Sequence, residues 1–157
     1  MRFSVPTIAT VIVAVISSVT AQSPCTTNFV GTPEQLQAAQ QQAIADFGNL
    51  FLVQKNIQRG FDLFIPGEYI NHNPYATSGR QNALNILVPA LASSSLTFTN
   101  VHAFSGQGYG LLHYRMRNGG SSTAVMDKFR FVGTCIVEHW DVGQSISGRE
   151  SNPIAFF

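Results

Sequence analysis

Hydrophobic and polar positions alternate along this chain in two regimes. Between positions 36 and 50 apolar residues recur every three or four places (Leu36, Ala39, Ala43, Phe47, Leu50), the spacing of an amphipathic helix. Thr32-Pro33-Glu34-Gln35 opens it: Thr32 caps, Pro33 suits the first helical position, and Gln35 completes a capping box. The pattern predicts a helix that passes or bends at Gly48 and runs on to Ile57, with Gln37, Gln40, Gln41 and Gln42 forming a solvated side. A short helix over 60–65, stopped by Pro66-Gly67, and a third opening at Ser78-Gly79-Arg80 and running through Leu91 follow. Between them β-prone Tyr69-Ile70 lead into Asn71-His72-Asn73, and Pro74 biases Asn73 to extended backbone.

Beyond position 95 the period shortens to two. Strands are predicted over 96–104, 109–117 and 123–131, separated by Ser105-Gly106-Gln107-Gly108 and Asn118-Gly119-Gly120-Ser121. The last of them forms a hairpin with the run from Cys135 to Val142 across Val132-Gly133-Thr134. Helices first and antiparallel strands after predict an α+β fold, with the helices on one face of the sheet. No internal repeat and no linker interrupts it, so 22–157 reads as a single domain.

The first 21 residues have a different composition: a basic start at Arg2, an apolar core over 8–16, and small residues up to Ala21. This is the layout of a secretory signal peptide, with Val19 and Ala21 at the cleavage positions, and its core falls short of the roughly 20 residues that a membrane span needs. Removing it predicts a secreted protein that carries eight basic and eight acidic residues. Charged residues are only 11% of the chain, and no Lys/Arg cluster occurs, which argues against nucleic acid as a partner. An oxidising compartment suggests a disulfide between the two cysteines, Cys25 and Cys135; the alternative is two unpaired thiols.

Sparse charge makes the hairpin unusual, because Asp127, Lys128, Arg130, Glu138, His139 and Asp141 all fall within it. On its first arm Val125, Asp127, Phe129 and Phe131 share a face, which turns Asp127 inward among apolar side chains. A carboxylate there needs a partner or a task, and proton transfer is such a task. A three-residue turn would set Asp127 opposite His139 and Lys128 opposite Glu138, whereas a two-residue turn flips the assignment; the sequence leaves both open. His72 is a second candidate, lying between two asparagines. No His, Cys or carboxylate set has metal-ligand spacing, no glycine-rich loop opens a helix, and no serine sits in a nucleophile elbow.

Tyr69-Ile70-Asn71-His72-Asn73-Pro74, the Gly79-Arg80 helix start, His113, Asp127-Lys128-Phe129-Arg130-Phe131 and Ile136-Val137-Glu138-His139-Trp140-Asp141-Val142-Gly143-Gln144 together resemble the SnoaL-like (polyketide cyclase-related) family of the nuclear-transport-factor-2-like superfamily. The tail from Asn152-Pro153 to Phe156 fits as well, and the likeness covers most of the chain from Leu50 onward. One departure is Thr134-Cys135, where the family carries a Gly-Lys turn. The resemblance implies a cone, a curved antiparallel sheet wrapped by N-terminal helices around a deep pocket. It implies a site without cofactor or metal, in which Asp127 acts as acid and base on a small apolar carbonyl-bearing molecule (cyclisation, isomerisation or dehydration), helped by His72 and His139. Tyr69, Asn73, Glu138 and Trp140 would contact that molecule. The alternative is a protein that binds a small molecule in the same pocket without turnover. Tyr114, Met116 and Trp140 are expected on the sheet's outer face, where they would build a homodimer.

Overall fold

The structure, a computed structural model, describes residues 24–152 and 154–157; the proposed signal peptide and Pro153 lie outside the described residues. Helix α1 (Pro33–Gly48) begins as its sequence demands: Thr32 Oγ1 accepts from the Gln35 N–H, and Gln35 Oε1 accepts from the Thr32 N–H at 2.8 Å. Gly48 is its last residue and lies directly on the sheet, where a Cβ would come within 2.7 Å of the Leu112 side chain. One wider turn, a π-helix over Asn49–Val53, then swings Phe51 towards Phe98. The expected run to Ile57 does not occur. Lys55 takes a positive φ of 53°, and Asn56 caps a new helix, α2 (Ile57–Phe64), through its side chain. Strand β1 (Ile70–Asn71) and helix α3 (Arg80–Leu91) follow, and then β2 (Leu96–Gly106), β3 (Tyr109–Asn118), β4 (Ser121–Val132) and β5 (Cys135–Ser145).

The sheet order is β1-β5-β4-β3-β2, with β1 parallel to β5 and the rest antiparallel. The sheet is curved and unclosed, and the helices fill its concave side. The core there is aromatic: Phe47 lies against Phe61, Phe64 and Phe129, with ring centroids 5.3–6.3 Å apart. Of the four glutamines expected on a solvated side of α1, only Gln42 is exposed. Gln40 is buried and donates to the Gly133 carbonyl at 2.8 Å, while Gln37 and Gln41 donate to Ser105 Oγ and the Ala103 carbonyl. α1 is thus tied to β2 and to the β4–β5 turn by side-chain amides, a role that helical periodicity does not reveal.

The β4–β5 turn has two residues, Gly133-Thr134, with Val132 paired to Cys135 and Phe131 to Ile136. Alone this would flip every later residue of β5. Val137 is an extra, unpaired residue, however, and from Arg130↔Glu138 onward the register is displaced by one. The bulge restores the inward facing of His139, now opposite Phe129, and sets Asp127 opposite Asp141. Glu138 faces Arg130 rather than Lys128.

Cys25 and Cys135 are joined, tying the start of the described chain to this turn. The Thr134 N–H donates to the Thr26 carbonyl, and the Cys25 N–H donates to the Leu63 carbonyl, both at 2.8 Å. Gly133 has φ of 57°, and a Cβ on it would stand 2.1 Å from the Thr26 carbonyl oxygen, so only glycine fits beside the strap. Cys135→Ser should lower stability by about 2–4 kcal/mol, read from denaturant midpoints of the oxidised proteins. Equal midpoints would show that the strap is held without the bridge.

Candidate functional site

A cavity of about 320 Å3 lies between the concave sheet and the helices. Its walls are apolar, with Phe51, Leu87, Leu91, Phe98 and Met116 among them; Asp127, His139, Asp141 and Tyr69 also line it. No Lys or Arg stands among the described residues that line it.

Asp127 is where strand alternation placed it: inward and 4% exposed. It has two partners. The Tyr114 hydroxyl donates to Oδ2 at 2.9 Å, and Oδ1 lies 3.2 Å from His139 Nε2. Burial pushes the Tyr114 phenol well above its ordinary range, with the Asp127 charge and hydrogen bond adding to it, so it stays a neutral donor. Burial also raises the Tyr69 phenol strongly, with Asp127 and then Asp141 contributing.

His139 is fixed on both faces and at both ring nitrogens. Its ring lies between Phe129, with centroids 5.0 Å apart, and Tyr69, at 6.0 Å. Nδ1 is 3.1 Å from Asn71 Oδ1. The orientation of that amide is settled by the backbone, because the Asn73 N–H donates to the same oxygen. Asn71 therefore offers an acceptor, and His139 Nδ1 carries the hydrogen. In the neutral ring Nε2 is then a lone pair directed at a carboxylate oxygen, so a hydrogen bond between them requires one proton shared by the Asp127–His139 pair. The next asparagine is fixed the same way. The Tyr75 N–H donates to Asn73 Oδ1, which leaves Asn73 Nδ2 to donate to Asp141 Oδ2 at 2.6 Å.

The segment from Tyr69 to Asn73 runs beside β5 and alternates as a strand does. Tyr69, Asn71 and Asn73 turn towards the cavity side and contact His139 or Asp141, and Ile70 and His72 turn away. His72 therefore does not meet Asp127. It stacks on Trp140, with rings 4.5 Å apart, and reaches Glu138 Oε1 at 2.7 Å. Glu138 also pairs with Arg130, and the Lys128 ammonium lies 4.1 Å from the centre of the Trp140 ring. His72, Glu138 and Trp140 thus form a cluster on the outer face of the sheet, away from the Asp127 side, because β5 shows them on the alternate positions to His139 and Asp141. Tyr114 and Met116, expected on that outer face, point inward instead and line the cavity. Asn71, Tyr114 and Asp141 were missed as site residues.

The outer cluster has a pH signature. His72, and after it Arg130, hold the Glu138 carboxyl below its ordinary value of 4.5. The stability this contributes is present above that value and lost as pH falls below it. Wild-type denaturation midpoints should drop between about pH 5 and about pH 3 by more than those of Glu138→Gln. Parallel pH curves would remove the outer cluster from the stability account.

No protein-family model and no curated protein matches this sequence. Solved structures do. AclR from Streptomyces galilaeus superposes with a TM-score of 0.54 at 14% identity, over 69% of this chain and 90% of its own. TsrD from Streptomyces laurentii does so with a TM-score of 0.54 at 17% identity, over the same shares. The fold is a nuclear-transport-factor-2-like cone. In this cone β3, β4 and β5 carry Tyr114, Asp127, His139 and Asp141 at the polar end of the cavity, and the helices together with apolar residues of β2, β3 and β4 supply its walls.

Proposed function

We propose that the chain is a secreted protein of SnoaL-like type that performs acid/base chemistry on a small apolar carbonyl-bearing molecule held in the cone. The observation that carries this reading is the buried Asp127–His139 pair at the polar end of an apolar cavity. Asp127 removes a proton from carbon next to the carbonyl, and the neutral phenol of Tyr69 donates to the oxygen as charge develops there. Asp127 keeps that proton until it returns it, and His139, its tautomer set by Asn71, orients the carboxyl through Nε2. Cyclisation, isomerisation and dehydration all begin with this step.

The disulfide and the composition of the first 21 residues support secretion, and no helix among the described residues is long and apolar enough to cross a membrane. A binder without turnover is the second reading, favoured by the predominantly apolar lining. Native mass spectrometry of the protein from its own producing cells, followed by identification of the released molecule, tests both. An apolar carbonyl compound supports the proposal, whereas a charged or strongly hydrophilic ligand contradicts it.

The same outer face would build a homodimer without Tyr114 and Met116, which turn inward. Trp140 is there as anticipated, joined by Phe104, Met126 and Val142, which are 53%, 43% and 69% exposed. Light scattering at tens of micromolar should give twice the chain mass. A monomer at that concentration would end the dimer reading.

A further inference from the structure

Two carboxylates and an imidazole converge at the polar end of the cavity. One donor atom each from Asp127, His139 and Asp141 lies within 4.8 Å of the other two. Linear spacing did not suggest this, because the ligands meet across the β4–β5 hairpin rather than along one element.

We propose that Asp127, His139 and Asp141 form a site for one divalent first-row transition-metal ion of the zinc class. The first support is geometric. Two donors bound about 2.1 Å from one ion at adjacent positions stand roughly 3.0–3.4 Å apart, and His139 Nε2 is 3.2 Å from Asp127 Oδ1. The second support is the direction of the lone pairs. Asn71, oriented by a backbone N–H, places the His139 hydrogen on Nδ1 and leaves Nε2 as the ligating atom. The third is outer-shell backing for the other two ligands. Tyr114 donates to Asp127 Oδ2 and Asn73 donates to Asp141 Oδ2, so each carboxylate keeps its second oxygen for the ion.

Charge points the same way. Two carboxylates border an apolar cavity that no Lys or Arg lines among the described residues, and a divalent ion balances them. One imidazole with two carboxylates suits zinc, cobalt, manganese or iron better than calcium or magnesium, which prefer all-oxygen sets. Three protein ligands leave positions open towards the cavity, the pattern of a reactive rather than a structural centre. The inference goes beyond the acid/base reading and does not rest on it, since ion and shared proton are alternative occupants of the gap between Nε2 and Oδ1.

The test is a titration of the chelator-treated mature protein with Zn2+ by calorimetry and with Co2+ by visible absorption, at neutral pH. One ion per chain should bind saturably, with cobalt bands that show a nitrogen ligand. His139→Gln and Asp141→Asn should abolish that binding, and Asn71→Ala should weaken it about 10–100-fold. His113→Gln, on the outer face against Phe157, should leave it unchanged. Thermal melts establish that each variant is folded, and Asn71→Ala and Asp141→Asn keep the test valid if His139→Gln is not. No saturable binding by the wild type overturns the proposal. So does wild-type affinity in Asp141→Asn, which would place the ion elsewhere. Proton exchange by the chelator-treated protein is scored separately, so failure of the metal site and failure of the acid/base reading are distinguishable.

Discussion

Asp127→Asn should reduce turnover by about 10²–10⁴-fold, the usual worth of a positioned general base, while ligand affinity changes little. Asparagine keeps the volume, and its carbonyl oxygen can still accept from Tyr114 at the position of Oδ2. Its amide cannot take up a proton, and the amide nitrogen then faces His139 Nε2, which accepts from it once the ring is neutral. The variant should therefore fold and bind but not turn over. Wild-type turnover in Asp127→Asn would remove Asp127 from the chemistry. A large loss of melting temperature with unchanged turnover would make it a structural acceptor.

Phe47→Ala should cost about 3–5 kcal/mol of stability, the range for emptying a large aromatic site in a packed core. Phe47 is 1% exposed and lies edge-on to Phe129, with centroids 5.3 Å apart. Phe129 in turn carries the His139 ring on its other contact. The loss should thus appear twice, as a lower denaturant midpoint and as weaker ligand binding where the His139 seat loosens. Phe47→Leu should recover most of the stability. If Phe47→Ala unfolds at the wild-type midpoint, the aromatic cluster is not what fixes the helices to the sheet.

Much of the fold is written in local pattern. The capping box at Thr32, the helix opened by Gly79-Arg80, and the inward set Val125, Asp127, Phe129 and Phe131 follow from spacing alone. Two features do not. The π-turn and the break at Lys55 depend on how α1 meets Leu112 and β2, which is tertiary information. The bulge at Val137 shifts the register by one without marking the sequence, since Val137 is as strand-prone as its neighbours.

The site was half legible for a related reason. His72, the titratable residue of its segment, alternates away from the cavity. The same alternation, counted from Tyr69, puts Asn71 and Asn73 inside. That signal was available once Tyr69-Ile70 was read as a strand. The same period of two along β3 puts Tyr114 and Met116 on the inward face of buried Leu112. Asp141 follows from His139 by one period of the strand, but its pairing with Asp127 needed the bulge.

Proton transfer to and from carbon next to a carbonyl, carried by Asp127, is the chemistry proposed for the cone. Proton NMR in heavy water measures it most directly, by incubating a panel of small apolar ketones with the chelator-treated protein and following the loss of their α-hydrogen signals. The wild type should exchange above the buffer rate for at least one ketone that binds, and Asp127→Asn should exchange at the buffer rate. Buffer-rate exchange by the wild type for every ketone shown to bind would contradict it and leave the cone as a binder.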